Sequence, residues 1–305
     1  MAQALGRLMA AGGEPIVALA GRTRQRAEHA ARFITGPAAP GGPGGPGGTV
    51  RAVRAVAVAE LPNLATRILI AVSDQAVETV AEALASAGMQ SGAVLHTCGA
   101  KGPEALKALQ MKGVACGMLH PLQTVMTAEQ GVTSLADATF GLSGDWDATL
   151  WADEIVQIVT GAHDRSLHIE AGRTACYHGG AVMASNALMA VLDAAVSLMG
   201  HAGVGRDEAL RAIGPLARTS LENALANGPQ AALTGPVARG DAATVAAHRD
   251  AMRHVEPTVA RLYDASARHL LQLARRRGLS DESVRAVEQA LEKSSGSSRT
   301  VGKAE

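Results

Sequence analysis

The chain has 305 residues, about twice the ~150 residues of a typical domain, and its 28 basic side chains balance its 28 acidic ones. A nucleic-acid binder needs surplus Lys and Arg and aromatic rings for base stacking; zero net charge and 2% aromatic residues exclude that class. The hydrophobic residues, 47% of the chain and chiefly Ala, Val, Leu and Met, suffice for a core of closely packed helices.

The chain opens with Met1, Leu5, Leu8 and Met9 at helical spacing, stopped by Gly12-Gly13. Ile16 to Ala20 reads as a short buried strand ending at Gly21, and Thr23 to Ile34 as a second helix. Residues 36–48 (GPAAPGGPGGPGG) are low-complexity Gly/Pro, which cannot build a core and predicts a mobile surface insertion without chemistry. Arg67 to Val72 is a clear strand, followed by a helix from Gln75 to Ala87; Ala93 to Thr97 and Val114 to Leu119 are further strands, with Pro103 to Gln110 helical between them. Strands alternating with helices in this way predict an α/β fold, a Rossmann-like doubly wound parallel sheet. His163 to Glu170 holds one last short strand, and from Arg173 onward the pattern is helical over 173–200, 206–226, 241–252, 255–277 and 281–292. Gly214-Pro215, Gly228-Pro229 and Gly235-Pro236 read as turns. The expected organisation is an α/β domain over 1–165, an all-α domain over 166–292 and a disordered tail over 293–305.

Three cysteines, Cys98, Cys116 and Cys176, are too far apart for a zinc knuckle or a disulfide framework, so no metal is expected. Arg7 interrupts the N-terminus and no apolar signal-peptide core follows, which places the protein in a reducing cytoplasm. The most apolar run, Ala175 to Met199, carries His178, Ser185, Asn186 and Asp193; a buried helix is expected rather than a membrane span.

A doubly wound sheet binds dinucleotides at the carboxyl ends of its strands, after a first strand and a glycine-rich turn. Here the helix that should follow that turn begins at Ala2, and the second strand and its ribose-reading turn follow; the first strand and the GxGx turn are missing. The expectation is a gene product that starts upstream, with Met1 inside a GxGxMA turn; the other reading is an unrelated amphipathic helix. In the turn Gly21-Arg22-Thr23-Arg24, an NAD site would carry Asp or Glu, whereas Arg and Thr suit the 2′-phosphate of NADP; a solvated basic turn is the alternative. Val72-Ser73-Asp74 and Thr97-Cys98-Gly99 end the next strands and complete the expected NADP site with Ala2, with Asp74 chiefly an N-cap. His120 ends the following strand, facing the nicotinamide or serving only its turn.

The segments AGRT (20–23), AVSDQAV (71–77), LHTCGAKG (95–102), MLHPLQT (118–124), CYHGGAVMASN (176–186) and LTGPVARGD (233–241), in this order, resemble an uncharacterised bacterial family. That family joins a Rossmann-like NADP-binding domain to a helical C-terminal domain. It is similar to pyrroline-5-carboxylate reductase, ketopantoate reductase and the 6-phosphogluconate dehydrogenase superfamily. The resemblance implies that the helix starting near Arg173 crosses the active-site cleft. Relatives carry Lys and Asn there; Asn186 matches the Asn, no Lys is present, and Tyr177 and His178 stand nearby.

His178 and Ser185 are seven residues apart, on one helical face with Asn186 at its edge, and His exchanges protons near neutral pH. His178, His120 and Asn186 are therefore the catalytic candidates, and Ser185, Thr234, Arg239 and His248 the substrate-side ones. The expected activity is hydride transfer between NADP(H) and a small carbonyl, imine or hydroxy compound in the interdomain cleft, by a homodimer joined through its C-terminal helices. The alternative is a non-catalytic nucleotide-binding or dimerisation protein. No membrane or nucleic-acid partner is expected.

Overall fold

The computed structural model describes residues 1–36 and 53–292. The Gly/Pro-rich insertion from residue 37 on and the expected tail 293–305 lie outside the described residues. Two compact units divide the chain after Ser185, twenty residues beyond the expected boundary at 165.

The first unit runs α1 (Ala2–Ala11), β1 (Ala18–Ala20), α2 (Arg24–Thr35), β2 (Arg54–Val56), β3 (Arg67–Ile70), α3 (Val77–Ser86), β4 (Ala93–His96), α4 (Lys107–Gln110), β5 (Ala115–Pro121), α5 (Ala128–Ser134), β6 (Phe140–Gly144), α6 (Trp146–Thr160), β7 (Ser166–His168) and α7 (Thr174–Ala184). Its strands form two sheets: β1 with β2, and a five-stranded sheet in the order β3-β4-β5-β6-β7. All neighbours are parallel except β5 and β6, which are antiparallel with His120 opposite Gly141. The expected doubly wound parallel sheet is present, with that pair as its one antiparallel exception: α5 returns the chain beside β5 in the opposite sense rather than crossing a whole face.

Helices cover both faces of the larger sheet. Leu5 and Met9 of α1 and Trp151, Ile155 and Val159 of α6 pack with Leu95, Leu119 and Leu142 on one face. Leu84 of α3, Leu106 and Leu109 pack with Ile68, Ile70 and Val94 on the other. A strand buried on both faces needs apolar side chains at successive positions, which is why RILI and AVLH show no alternation. The start of α6 is clamped to β5 in both directions. The Asp145 carboxylate accepts the Cys116 N–H at 2.8 Å, and the Asp145 N–H donates to the Cys116 carbonyl at 3.0 Å.

The second unit holds α8 (Asn186–His201), α9 (Arg206–Asn227), α10 (Pro229–Ala232), α11 (Pro236–Arg239), α12 (Ala242–Ala251), α13 (Pro257–Arg276) and α14 (Asp281–Glu292). Its core is the packing of α11 to α14 around Val237, Val245, Leu271, Val287 and Leu291. Arg249 reaches both oxygens of Asp264 at 2.7 and 2.8 Å, a fork geometry that joins α12 to α13. Gly228-Pro229 and Gly235-Pro236 are turns with Pro in the first helical turn. Gly214-Pro215 is not: α9 runs through it, forgoing the hydrogen bond that the proline nitrogen cannot donate.

The stretch 174–201 is neither continuous nor buried as expected. Ser185, at φ −122° and ψ −73°, breaks it into α7 and α8. Among the described residues it is the stretch long and apolar enough to cross a membrane, by length and composition only. Its apolar side chains face outward: Met183 is 71% and Met189 58% exposed. Helix α9 continues the pattern with Leu216 at 68% and Leu225 at 78%.

Asp145→Ala removes the acceptor for the Cys116 amide, and we expect it to lower stability by about 1–2 kcal/mol in a urea melt. Asp145→Asn, which keeps a carbonyl acceptor, should recover part of that loss.

Candidate functional site

Two groups of residues converge at the carboxyl ends of the strands in the first unit. The first surrounds a cavity of about 1190 Å³ flanked by β1 and its exit on one side and β3 and its exit on the other. Ala2, Gly21, Arg22, Val72 and Ser73, all expected as cofactor contacts, line it. Arg26, in the first turn of α2, lines it too and was not among the expected contacts. Thr23 caps α2, its hydroxyl accepting the Arg26 N–H at 3.3 Å. Arg24 pairs with Glu28 at 3.0 Å on the exposed side of α2. Arg22 and Arg26 make no ion pair among the described residues, and the first turn of α2 holds no acidic side chain. Cations crowded at the positive end of a helix dipole are mutually unfavourable unless an anion joins them.

The second group centres on His120. Its Nδ1 lies 2.9 Å from the hydroxyl of Tyr177 on α7, and its ring meets that of His178 edge-on at 5.9 Å between centroids. Two glycines make the room. A Cβ at Gly99 would fall 2.6 Å from the His120 ring, and one at Gly141 would fall 2.5 Å from the Tyr177 ring carbon and hydroxyl. Glycine is the residue that permits such close approach. Burial, then the neighbouring His178, push the His120 imidazole down to about 4, so it is neutral at pH 7. Burial pushes the Tyr177 phenol up to about 12.

His96 holds the loop that carries Gly99. Its Nδ1 lies 3.3 Å from the Cys98 backbone N–H, which can only donate, so Nδ1 accepts and Nε2–H donates to the Gly102 carbonyl at 2.9 Å. Burial lowers its basicity as well, which suits that single neutral tautomer. Cys98 is buried beside it, and burial followed by a hydrogen bond to Asp74 raises its thiol. Asp74 is therefore not a helix N-cap: it is the first residue of the 3-10 turn Asp74–Ala76, Ser73 precedes it at the cap position, and α3 starts only after Ala76. Its carboxylate turns toward the β4 loop, where it also acts electrostatically on His96 and His120. Cys116 is fully buried, with a thiol pushed up to about 12 by burial and then Asp145; Cys176, next to Tyr177, is exposed.

The structure thus brings His120, His178 and Gly99 together, with Thr97 and Cys98 on the adjoining loop. Tyr177 and His96 are the partners the sequence ranking left out; both lay inside quoted segments, but neither distance is readable from spacing. Ser185 ends α7, its hydroxyl donating to the Ala181 carbonyl at 2.7 Å. In the second unit, Asn186 opens α8, and Thr234 and Arg239 are exposed before and at the end of α11. His248 bonds the Tyr263 hydroxyl through Nδ1 at 3.0 Å.

Residues 138–270 match the family model described as Domain of unknown function (DUF2520). No curated protein matches the chain. Among solved structures, protein TM1727 from Thermotoga maritima is similar at 22% identity over 90% of this chain and 97% of its own, with a TM-score of 0.65. A reductive aminase from Aspergillus terreus, in complex with NADPH and ethyl levulinate, is similar at 14% identity, over 95% and 96%, with a TM-score of 0.59. An imine reductase from Streptomyces aurantiacus gives 16% identity, 94% and 95%, and 0.54. The resemblance read from the sequence therefore stands as a similarity: residues 138–270 match the uncharacterised domain, and the Rossmann-like fold is similar to that of the reductive aminase and the imine reductase.

The lowered basicity of His120 and His96 gives the acid limb of stability a sign. Unfolded, each imidazole protonates near 6.5; folded, His120 resists until about 4. Stability is thus fully present above pH 6.5 and is lost as pH falls toward 4, by up to about 3 kcal/mol from His120. Urea melts between pH 4.5 and 7 should show this slope, and His120→Asn should flatten it.

Proposed function

We propose that the protein is an NADP(H)-dependent oxidoreductase acting on a small carbonyl, imine or hydroxy compound. The observation that carries this reading is that arginines without an ion pair among the described residues and a half-buried histidine–tyrosine group both stand at carboxyl ends of strands in the first unit. The strand ends suit the cofactor: Gly21, Val72 and Ser73 line the cavity, and the 2′-phosphate would give Arg22 and Arg26 the anion that the start of α2 lacks. NADPH, when bound, supplies the hydride.

The chain's own residues handle the proton and the substrate. His178 is the side chain that exchanges a proton with the reacting oxygen or nitrogen. His120, kept neutral and oriented by Tyr177, serves as a fixed hydrogen-bonding partner rather than an acid, since an imidazolium there would be desolvated and next to a second imidazole. Asn186, Ser185, Thr234, Arg239 and His248 remain candidates for substrate contact. The three unpaired cysteines suit a reducing cytoplasm. The exposed apolar side chains of α8 and α9 suit a second copy of this chain as their cover.

Titration of NADPH fluorescence should saturate, with NADH at least about ten-fold weaker, and Arg22→Ala should erase most of that difference while leaving NADH binding unchanged. Equal affinities in the intact protein would overturn the 2′-phosphate reading. In NADPH-oxidation assays on small ketones and imines, His178→Ala should lower turnover by about 100-fold with NADPH binding retained. Unchanged turnover would remove His178 from the mechanism; binding without turnover on any substrate would favour the non-catalytic alternative. Light scattering should give twice the 31.1 kDa chain mass, and Leu216→Glu with Leu225→Glu should return the monomer.

A further inference from the structure

Tyr177 and His120 share a hydrogen bond of 2.9 Å between the phenol oxygen and Nδ1, and its proton can belong to either ring. Three observations place it on the phenol. The other acceptor within the phenol's reach, the His120 carbonyl, lies 3.5 Å away, the weak limit for an O–H donor. That carbonyl is also engaged in the β5–β6 ladder. Bonded pairs alternate along antiparallel strands; Asp145 donates to Cys116 at 3.0 Å and Leu122 to Thr139 at 2.8 Å, and His120 opposite Gly141 falls in the same alternation. Finally, the Gly141 backbone N–H donates toward the phenol oxygen, which leaves the hydroxyl proton to Nδ1. Nδ1 therefore accepts, and the neutral ring carries its own proton on Nε2.

That Nε2–H is the open end of the group. It has no acceptor among the described residues, and it is not enclosed. A Cβ built on Gly99 would fall 2.6, 2.7 and 2.8 Å from Cε1, Nε2 and Cδ2, so Gly99 lies over the ring face and does not block the ring plane, along which Nε2–H points. His96 holds the Gly99 loop at Cys98 and at Gly102, and Tyr177 holds the opposite side of the His120 ring. The donor is thus aimed before a ligand arrives.

We propose that His120 Nε2–H receives the reacting oxygen, and that the substrate is a neutral aldehyde or ketone rather than an iminium ion. This rests on the oxidoreductase reading and narrows it. A carbonyl oxygen offers lone pairs to the donor and gains negative charge during reduction, so the bond strengthens toward the transition state. An iminium nitrogen has no lone pair, and its positive charge would face an N–H. In the reduction the carbonyl carbon gains hydride from NADPH, the C=O π pair passes to oxygen, and oxygen takes a proton from a His178 imidazolium. The products are the alcohol, neutral His178 and NADP⁺. Hydride addition to an iminium ion gives the neutral amine with no proton transfer, which leaves both histidines without a task.

Long-range proton–nitrogen correlation spectra of the intact chain, with labelled histidine rings and His120 assigned by its loss in His120→Asn, read the tautomer directly. At pH 7 His120 should show a protonated Nε2 and a bare Nδ1, and Tyr177→Phe should give a mixture of both tautomers. Cyclopentanone with NADP⁺ should shift the Nε2 resonances, whereas NADP⁺ alone should not. In NADPH-oxidation assays cyclopentanone should be turned over at least about ten-fold more efficiently than N-methyl-1-pyrrolinium, an iminium ring of the same size. A proton on Nδ1 in the wild type, or no ketone-dependent shift, overturns the donor. A shift caused by NADP⁺ alone would assign Nε2–H to the nicotinamide carboxamide and overturn the substrate claim, as would a preference for the pyrrolinium. The expected tautomer and ketone shift without turnover of either ring would uphold the donor and remove the oxidoreductase reading instead.

Discussion

The first unit depends on a sheet covered on both faces. Once Leu95, Leu119 and Leu142 are committed to α1 and α6, and Ile68, Ile70 and Val94 to α3 and the segment around Leu106, no side chain in the middle of a strand is free for chemistry. Polar groups are admitted at the carboxyl ends, where the chain leaves the ladder and turns into a helix. Arg22, Ser73, Cys98 and His120 all sit there for that reason. His96 illustrates the rule from the inside: the one histidine fully enclosed in a strand spends both ring nitrogens on the adjoining loop.

That same constraint explains what was legible in the sequence. RILI and AVLH are recognisable because a doubly covered strand must be apolar throughout, and the strand-end polar residues follow directly from the strand assignments. The stretch 124–160 was opaque. FGLSG is too short and glycine-rich to show a period, and α6 carries exposed Trp146 and Leu150 that blur its apolar stripe. Pro215 misled in the opposite direction, since a proline on an exposed helix position reads locally as a turn. The apolar run 174–201 was recognised as helical, but hydropathy alone reports a need for cover, not that the cover lies within the same chain.

Pairwise contacts were the remaining blind spot. His120 and Tyr177 are 57 residues apart, and their meeting depends on Gly99 and Gly141, two positions where the missing side chain is the informative part. A histidine boxed in by glycines is held by shape rather than by charge, which is compatible with its being neutral. It also makes the geometry sensitive to a single methyl group at either glycine.

The cysteines have a practical meaning in this light. Cys98 and Cys116 are enclosed, and burial raises both thiols, so neither offers a thiolate near neutral pH. Cys176 stands exposed on α7, one residue before Tyr177 and two before His178. The wild-type chain therefore carries a single accessible attachment point for a thiol-directed fluorophore. A dye placed there would sit beside Tyr177 and His178 without any engineered substitution.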